Sequence, residues 1–275
     1  MTFAPTNMVE NPRQARYVVR SHTTVRAFCL SSKNLRRRSF LGLLTGALTA
    51  AVGLVLFSFL KFEQPKPATT SQIAQTGLQP KTSGAISVEE ALARRRSVRE
   101  YADAPLTIDQ VMQLLWAAQG VTNTEYGFRT APSAGGTYPL EIYLVTRPSG
   151  VVGLEVGIYR YEPRNHTLIK MIRGDFSGEL MAAALDQEWV GAAPVNFVIT
   201  AVFERTTGKY GERGVRYAWQ ETGHAAQNIY LQAVALGLGN VVIGGFHDAE
   251  VQRILQLSDF EKPAYVIPAG VLRRS

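Results

Sequence analysis

Residues Ser39 to Leu60 read SFLGLLTGALTAAVGLVLFSFL, 22 residues without a charged side chain. As a helix rising about 1.5 Å per residue, such a run spans a hydrocarbon layer of roughly 30 Å. The run divides the chain into a leader (residues 1–38), a transmembrane or signal-anchor helix (39–60) that takes the lipid bilayer as its partner, and a remainder that must fold on its own. Charge is divided in the same way. Eight of the 29 Lys/Arg and one of the 22 Asp/Glu fall within residues 1–40, so the remaining 21 of each cancel. The formal charge of +7 therefore belongs to the leader, and the body has no electrostatic footprint for nucleic acid. Cations concentrated before the run place the N-terminus in the cytoplasm and the body on the periplasmic or lumenal side.

At the head of the run, Arg37-Arg38-Ser39-Phe40-Leu41 resembles the twin-arginine export signal, from which Arg36 and Gly42 depart. An ordinary arginine-edged anchor fits the same residues. No small-x-small cleavage site follows Leu60, which favours a retained anchor. The single cysteine, Cys29, lies in the leader, so the body offers no disulfide and no thiolate cluster for a metal. Residues 61–84 are rich in Pro, Gln, Thr and Ser without apolar periodicity, as expected of a flexible linker.

The body, residues 85–275, alternates helical and strand patterns irregularly, which predicts an α+β domain. Ser87-Val88-Glu89-Glu90 and Thr107-Ile108-Asp109-Gln110 are capping boxes that open helices to about Arg95 and Gly120. Helical patterns also cover Gly178–Trp189, Val215–Leu236, and Ala249–Leu255 behind an Asp248 cap. Strand patterns cover Pro139–Thr146, Gly157–Glu162, Thr167–Met171, Pro194–Phe203, Val241–Ile243 and Ala264–Val271, with a hairpin turn at Pro163-Arg164-Asn165.

Three short segments carry the candidate chemistry. In an extended segment Arg95, Ser97 and Arg99 share one face, where two guanidiniums and a hydroxyl can clasp a phosphate. The same residues also suit a solvated basic helix end. PSAGGTYP at Pro132–Pro139 is a turn whose small residues let backbone approach a flat ligand, with Ser133 and Thr137 able to donate to its polar edge. Gly244-Gly245 after a short strand offers either a tight turn or a similar close approach. No GxGxxG opens a helix, so a dinucleotide-binding Rossmann fold is excluded.

Taken in order, RRSVREY, APSAGGTYPLEIYLV, GVRYAWQETGHAAQNIYLQAVALGLGNVVIGGF and YVIPAGV resemble the nitroreductase superfamily of FMN flavoproteins. The resemblance covers about Ile86 to Gly270 and is closest to the SagB-type branch, which includes azoline dehydrogenases. It implies a mixed, mainly antiparallel sheet flanked by helices and an obligate homodimer with FMN at the interface. By position, Arg95, Ser97 and Arg99 would bind the phosphate and ribityl chain, with Arg273 reaching the phosphate from the C-terminus. Pro132, Ser133, Ala134 and Gly135 would lie along the isoalloxazine, and Gly244 and Gly245 near its N5 edge. Lys209-Tyr210 matches the pair implicated in deprotonating azoline substrates; a loop lysine and a surface tyrosine fit the same positions. His224 would be a packed interface residue. The implied activity is hydride transfer through N5, with NAD(P)H as a candidate reductant and a small molecule or peptide as substrate. A non-catalytic flavin-binding module is the alternative from another class.

Overall fold

The computed structural model describes residues 72–75 and 78–273. The leader, the apolar run 39–60 and linker residues 61–71 and 76–77 lie outside the described residues, so the anchor expected there is not among them. Among the described residues no helix is long and apolar enough to cross a membrane.

The strands are β1 (Gln72–Gln75), β2 (Val121–Asn123), β3 (Phe128–Arg129), β4 (Leu140–Thr146), β5 (Gly157–Glu162), β6 (Thr167–Arg173), β7 (Val195–Val202), β8 (Leu238–Asn240) and β9 (Glu261–Val271). The helices are α1 (Val88–Arg94), α2 (Ile108–Gln119), α3 (Ser177–Ala183), α4 (Glu188–Ala192), α5 (Glu204–Tyr210), α6 (Arg213–Ala235) and α7 (Asp248–Leu255). Seven strands form one sheet in the order β1-β6-β5-β4-β7-β9-β8, and β2 and β3 make a separate ribbon. Every ladder in the sheet is antiparallel, which short connections such as the 163–166 turn permit. The expected mixed character is confined to isolated parallel bridges, Ser97 to Asn240 and Leu106 to Val151.

Period-two alternation along the central strands decides which side chains enter which core. Ile142, Leu144, Phe197 and Ile199 point to a layer filled from α2 (Val111, Leu114, Leu115) and α6 (Ala225, Ile229, Ala233). Tyr143, Val145 and Val198 point the other way, to Leu180 of α3, Val190 of α4, and Val251 and Ile254 of α7. The result is an α+β domain of three layers with the sheet in the middle. Helix starts follow the local signals: Ser87 accepts from the Glu90 N–H, and Thr107 forms a full capping box with Gln110.

Four expectations are corrected. The linker is not wholly without structure, since residues 72–75 add an edge strand to β6. Further along, Gln113 clasps Lys81, accepting from its N–H at 2.8 Å and donating to its carbonyl at 3.0 Å. The helix expected over Gly178–Trp189 breaks at Leu185 and Asp186, whose φ of 60° and 56° are left-handed. That break turns Val190 into the core, where its carbonyl accepts from Asn196 at 3.0 Å. The strand expected at Val241–Ile243 lies earlier, at β8, with Ile243 retained as a single bridge to Val266. Finally, His247 is the N-cap of α7, without a side-chain cap, and Asp248 is the first helical residue.

Candidate functional site

Residues 95–101 leave α1 as an extended strip laid beside β8 and the end of β9. The Val98 N–H donates to the Asn240 carbonyl at 2.9 Å, and the Ala102 N–H to the Val271 carbonyl at 2.9 Å. The Tyr101 hydroxyl donates to the carbonyls of Val98 and Pro268 at 2.9 and 3.2 Å, and burial holds its pKa well above the ordinary 10. Gly239 permits this approach, because a Cβ there would stand 2.6 Å from Val98 Cγ1. Arg95, Ser97 and Arg99 then alternate with Val98, as their spacing predicts. The Arg95 guanidinium lies 5.0 Å over the Tyr230 ring and that of Arg99 lies 5.4 Å over Trp189. Among the described residues neither arginine enters an ion pair, whereas Arg94 pairs with Glu90 at 2.7 Å and Arg273 with Glu100 at 3.7 Å. Arg273 is thus beside the strip, with its charge turned to a carboxylate.

The 132–139 loop is shaped by Gly135 and Gly136, at φ 61° and 66°. A Cβ on Gly135 would fall 2.5 Å from Tyr210 Oη and 2.6 Å from Lys209 Nζ. Lys209 Nζ donates to the Gly135 carbonyl at 3.0 Å, so α5 brings the predicted catalytic pair onto the predicted ring-binding loop. The loop's own hydroxyls are otherwise occupied than expected. Ser133 Oγ accepts from the Tyr138 N–H at 2.8 Å, and Thr137 donates to the Ala134 carbonyl at 3.0 Å. What remains toward solvent is Pro132 and the Gly135-Gly136 backbone.

Beneath the loop, the Glu221 carboxylate accepts from the Ala134 N–H at 2.8 Å and is 3% exposed. Desolvation raises its pKa, opposed by the Ala134 N–H, the Ser133 hydroxyl and the charges of His224 and Arg129. His224 itself is exposed in the single chain.

In the third segment the Val242 N–H donates to Tyr230 Oη at 2.9 Å, and the same hydroxyl lies 3.0 Å from Ser97 Oγ. Gly244 and Gly245 follow, both exposed, with the Gly245 carbonyl accepting from Gln187 Nε2 at 3.1 Å. Tyr230 therefore ties this segment to the cationic strip. Glu221 and Tyr230 stand nine residues apart on α6, which at about 100° per residue sets them on opposite edges of its buried stripe. Among the described residues no hydrogen bond joins the two groups they hold. The predicted residues accordingly fall into two sets: Arg95, Ser97, Arg99, Gly244 and Gly245, with Arg273 beside them, and Pro132, Ser133, Ala134 and Gly135 with Lys209 and Tyr210.

The first set fits an organic phosphate, since two guanidiniums without carboxylate partners among the described residues flank an exposed hydroxyl. The second fits one face of a flat ring, since backbone lies bare at Gly135 and Gly136. Tyr230 was not singled out from sequence. Its signal is a lone tyrosine on a buried stripe whose other members are mostly small, with Ala218, Ala225, Ala226 and Ala233 beside Gly214, Thr222, Glu221 and Ile229.

A model of the nitroreductase family matches residues 92–271. A Methanocaldococcus jannaschii protein, provisionally named a nitroreductase, is 47% identical over 185 residues, covering 67% of this chain and 91% of that protein. The microcin B17-processing protein McbC of Escherichia coli is 30% identical over 132 residues, about half of each chain (47% and 48%). A crystal structure from Ralstonia eutropha JMP134, provisionally described as a nitroreductase, superposes with a TM-score of 0.63 at 27% identity, covering 77% of this chain and 99% of that one.

Proposed function

The chain belongs to the nitroreductase family, and from that premise we propose that it is an FMN-dependent oxidoreductase acting as a homodimer. Each flavin sits between the cationic strip of one copy and the 132–135 loop of the other. FMN, when bound, supplies two-electron hydride chemistry at its N5 atom. The chain's own residues bind and orient. Arg95, Arg99 and Ser97 hold the phosphate by charge-assisted hydrogen bonds, Gly244 and Gly245 bring backbone to the ring edge, and the loop of the second copy covers a ring face. Arg273 lies beside the strip, paired with Glu100. One observation carries this reading. The cation–hydroxyl–cation row is tied to the glycine pair through Tyr230, on the side of α6 opposite the loop, so one chain offers two half-sites.

The test is to purify the full chain, record its spectrum and titrate it anaerobically with NADH and NADPH. The expected result is one FMN per chain that bleaches with at least one nicotinamide. A protein that holds no flavin and takes up none when FMN is added contradicts the proposal. A retained flavin that no donor or acceptor pair turns over favours the non-catalytic module.

A second reading, an azoline dehydrogenase of the SagB type acting on thiazoline or oxazoline peptides, is favoured by the convergence of Lys209 and Tyr210 on Gly135. In that reading Lys209 takes the substrate proton and Tyr210 orients it. The similarity to McbC, named for microcin processing, supports it. We further propose that residues 39–60 anchor the protein with the body on the periplasmic or lumenal side. That placement favours a small-molecule substrate over a cytoplasmic peptide.

A further inference from the structure

The Ser97 hydroxyl ends a chain of hydrogen bonds that begins inside the protein. The Val242 N–H donates to Tyr230 Oη at 2.9 Å, and Tyr230 Oη lies 3.0 Å from Ser97 Oγ. A phenol has one proton, and an amide N–H can only donate. Tyr230 therefore gives Val242 a lone pair, and its proton remains to be placed. Among the described residues, Ser97 Oγ is the other partner of that hydroxyl. Tyr230 is 9% exposed, so leaving its proton without an acceptor would be costly. The consistent polarity runs Val242 N–H to Tyr230 O–H to Ser97 O–H. Each bond in such a series polarises the next.

This polarity has a consequence at the surface. Ser97 accepts on its inner side, so its own proton is free for whatever stands outside. What stands outside is flanked by Arg95 and Arg99, and Arg95 rests on the ring of the same Tyr230. The reverse polarity would turn serine lone pairs toward an anion and leave the phenol proton unplaced. We propose that Tyr230 is a positioning residue for the phosphate end of the flavin. It acts through Ser97, fixing that hydroxyl as a donor to the phosphate. This inference rests on the FMN reading of the site.

The experiment compares FMN with riboflavin, which lacks the phosphate, using the full-length protein and flavin fluorescence. Tyr230→Phe, Ser97→Ala and the double variant are measured beside wild type. Tyr230→Phe is expected to weaken FMN about tenfold, the scale of one hydrogen bond to a charged group, and to leave riboflavin within about twofold. The double variant should bind FMN no more weakly than Ser97→Ala alone, because both changes cut one relay. An equal loss for riboflavin would make Tyr230 a packing residue and overturn the proposal, as would additive losses in the double variant. Wild-type protein that binds neither flavin would overturn the flavin reading and this inference with it, an outcome distinct from failure of Tyr230 alone.

Discussion

Glu221 shows how one residue ties the stability of the body to the shape of its site. Its carboxylate is withdrawn from water under the 132–136 loop, and burial outweighs the donors that favour ionisation, so its pKa is raised above the ordinary 4.5. The folded chain thus holds this proton more tightly than the unfolded chain does. The contribution favours folding fully below the ordinary value and is lost as pH rises through the raised folded value. Urea unfolding of wild type and Glu221→Gln at a series of pH values upward from about 4.5 should show the variant gaining on wild type as pH rises. A difference that does not change with pH would contradict this. In the sequence Glu221 was legible as a polar residue in a long helix. Its partner was not, because Ala134 lies 87 residues earlier and helical spacing does not say what crosses the helix. The same holds for Tyr230 and Ser97, 133 residues apart.

Elements whose causes are local were readable. Thr107 and Gln110 satisfy each other's backbone within one turn, so the start of α2 needs nothing from the rest of the fold. The near-continuous apolar run of β4 likewise announces a strand with two buried faces. Where tertiary contact decides, local pattern misleads. Gly178–Trp189 is apolar enough for one helix, yet placing Val190 in the core demands a reversal at Leu185 and Asp186, neither a residue that prefers left-handed backbone as glycine does. Residues 72–75 have the composition of a linker and form a strand because β6 presents an open edge. The break at Leu185 can be checked by substitution. Leu185 is 52% exposed at φ 60°, so Leu185→Gly should leave stability unchanged or raise it by up to about 1 kcal/mol in urea unfolding. A continuous helix would instead lose about 1 kcal/mol.

Across the whole molecule, the arrangement follows from what α6 separates. The body carries 21 Lys/Arg and 21 Asp/Glu once residues 1–40 are set aside, so no general field draws an anion to it. The cationic strip is instead a local device, two arginines that among the described residues pair with no carboxylate. The glycine pair shares its side of α6, and the 132–136 loop with Lys209 and Tyr210 faces the other way. On the proposed reading, a single chain presents both halves of a site without closing one. The order of the three segments was legible; their division was not, since it depends on the angle between Glu221 and Tyr230 around one helix. In the proposed twofold dimer each strip would meet the other copy's loop, giving two equal sites.

The most direct measurement of this account is complementation between two damaged chains. One copy carries Arg95→Ala with Arg99→Ala, the other Gly135→Val, and dimers containing both are isolated through different affinity tags after co-expression. Each parent homodimer should be free of flavin, while the mixed dimer, with one undamaged strip facing one undamaged loop, should hold about half the wild-type FMN. Mixed dimers as empty as their parents would contradict a site shared between two copies.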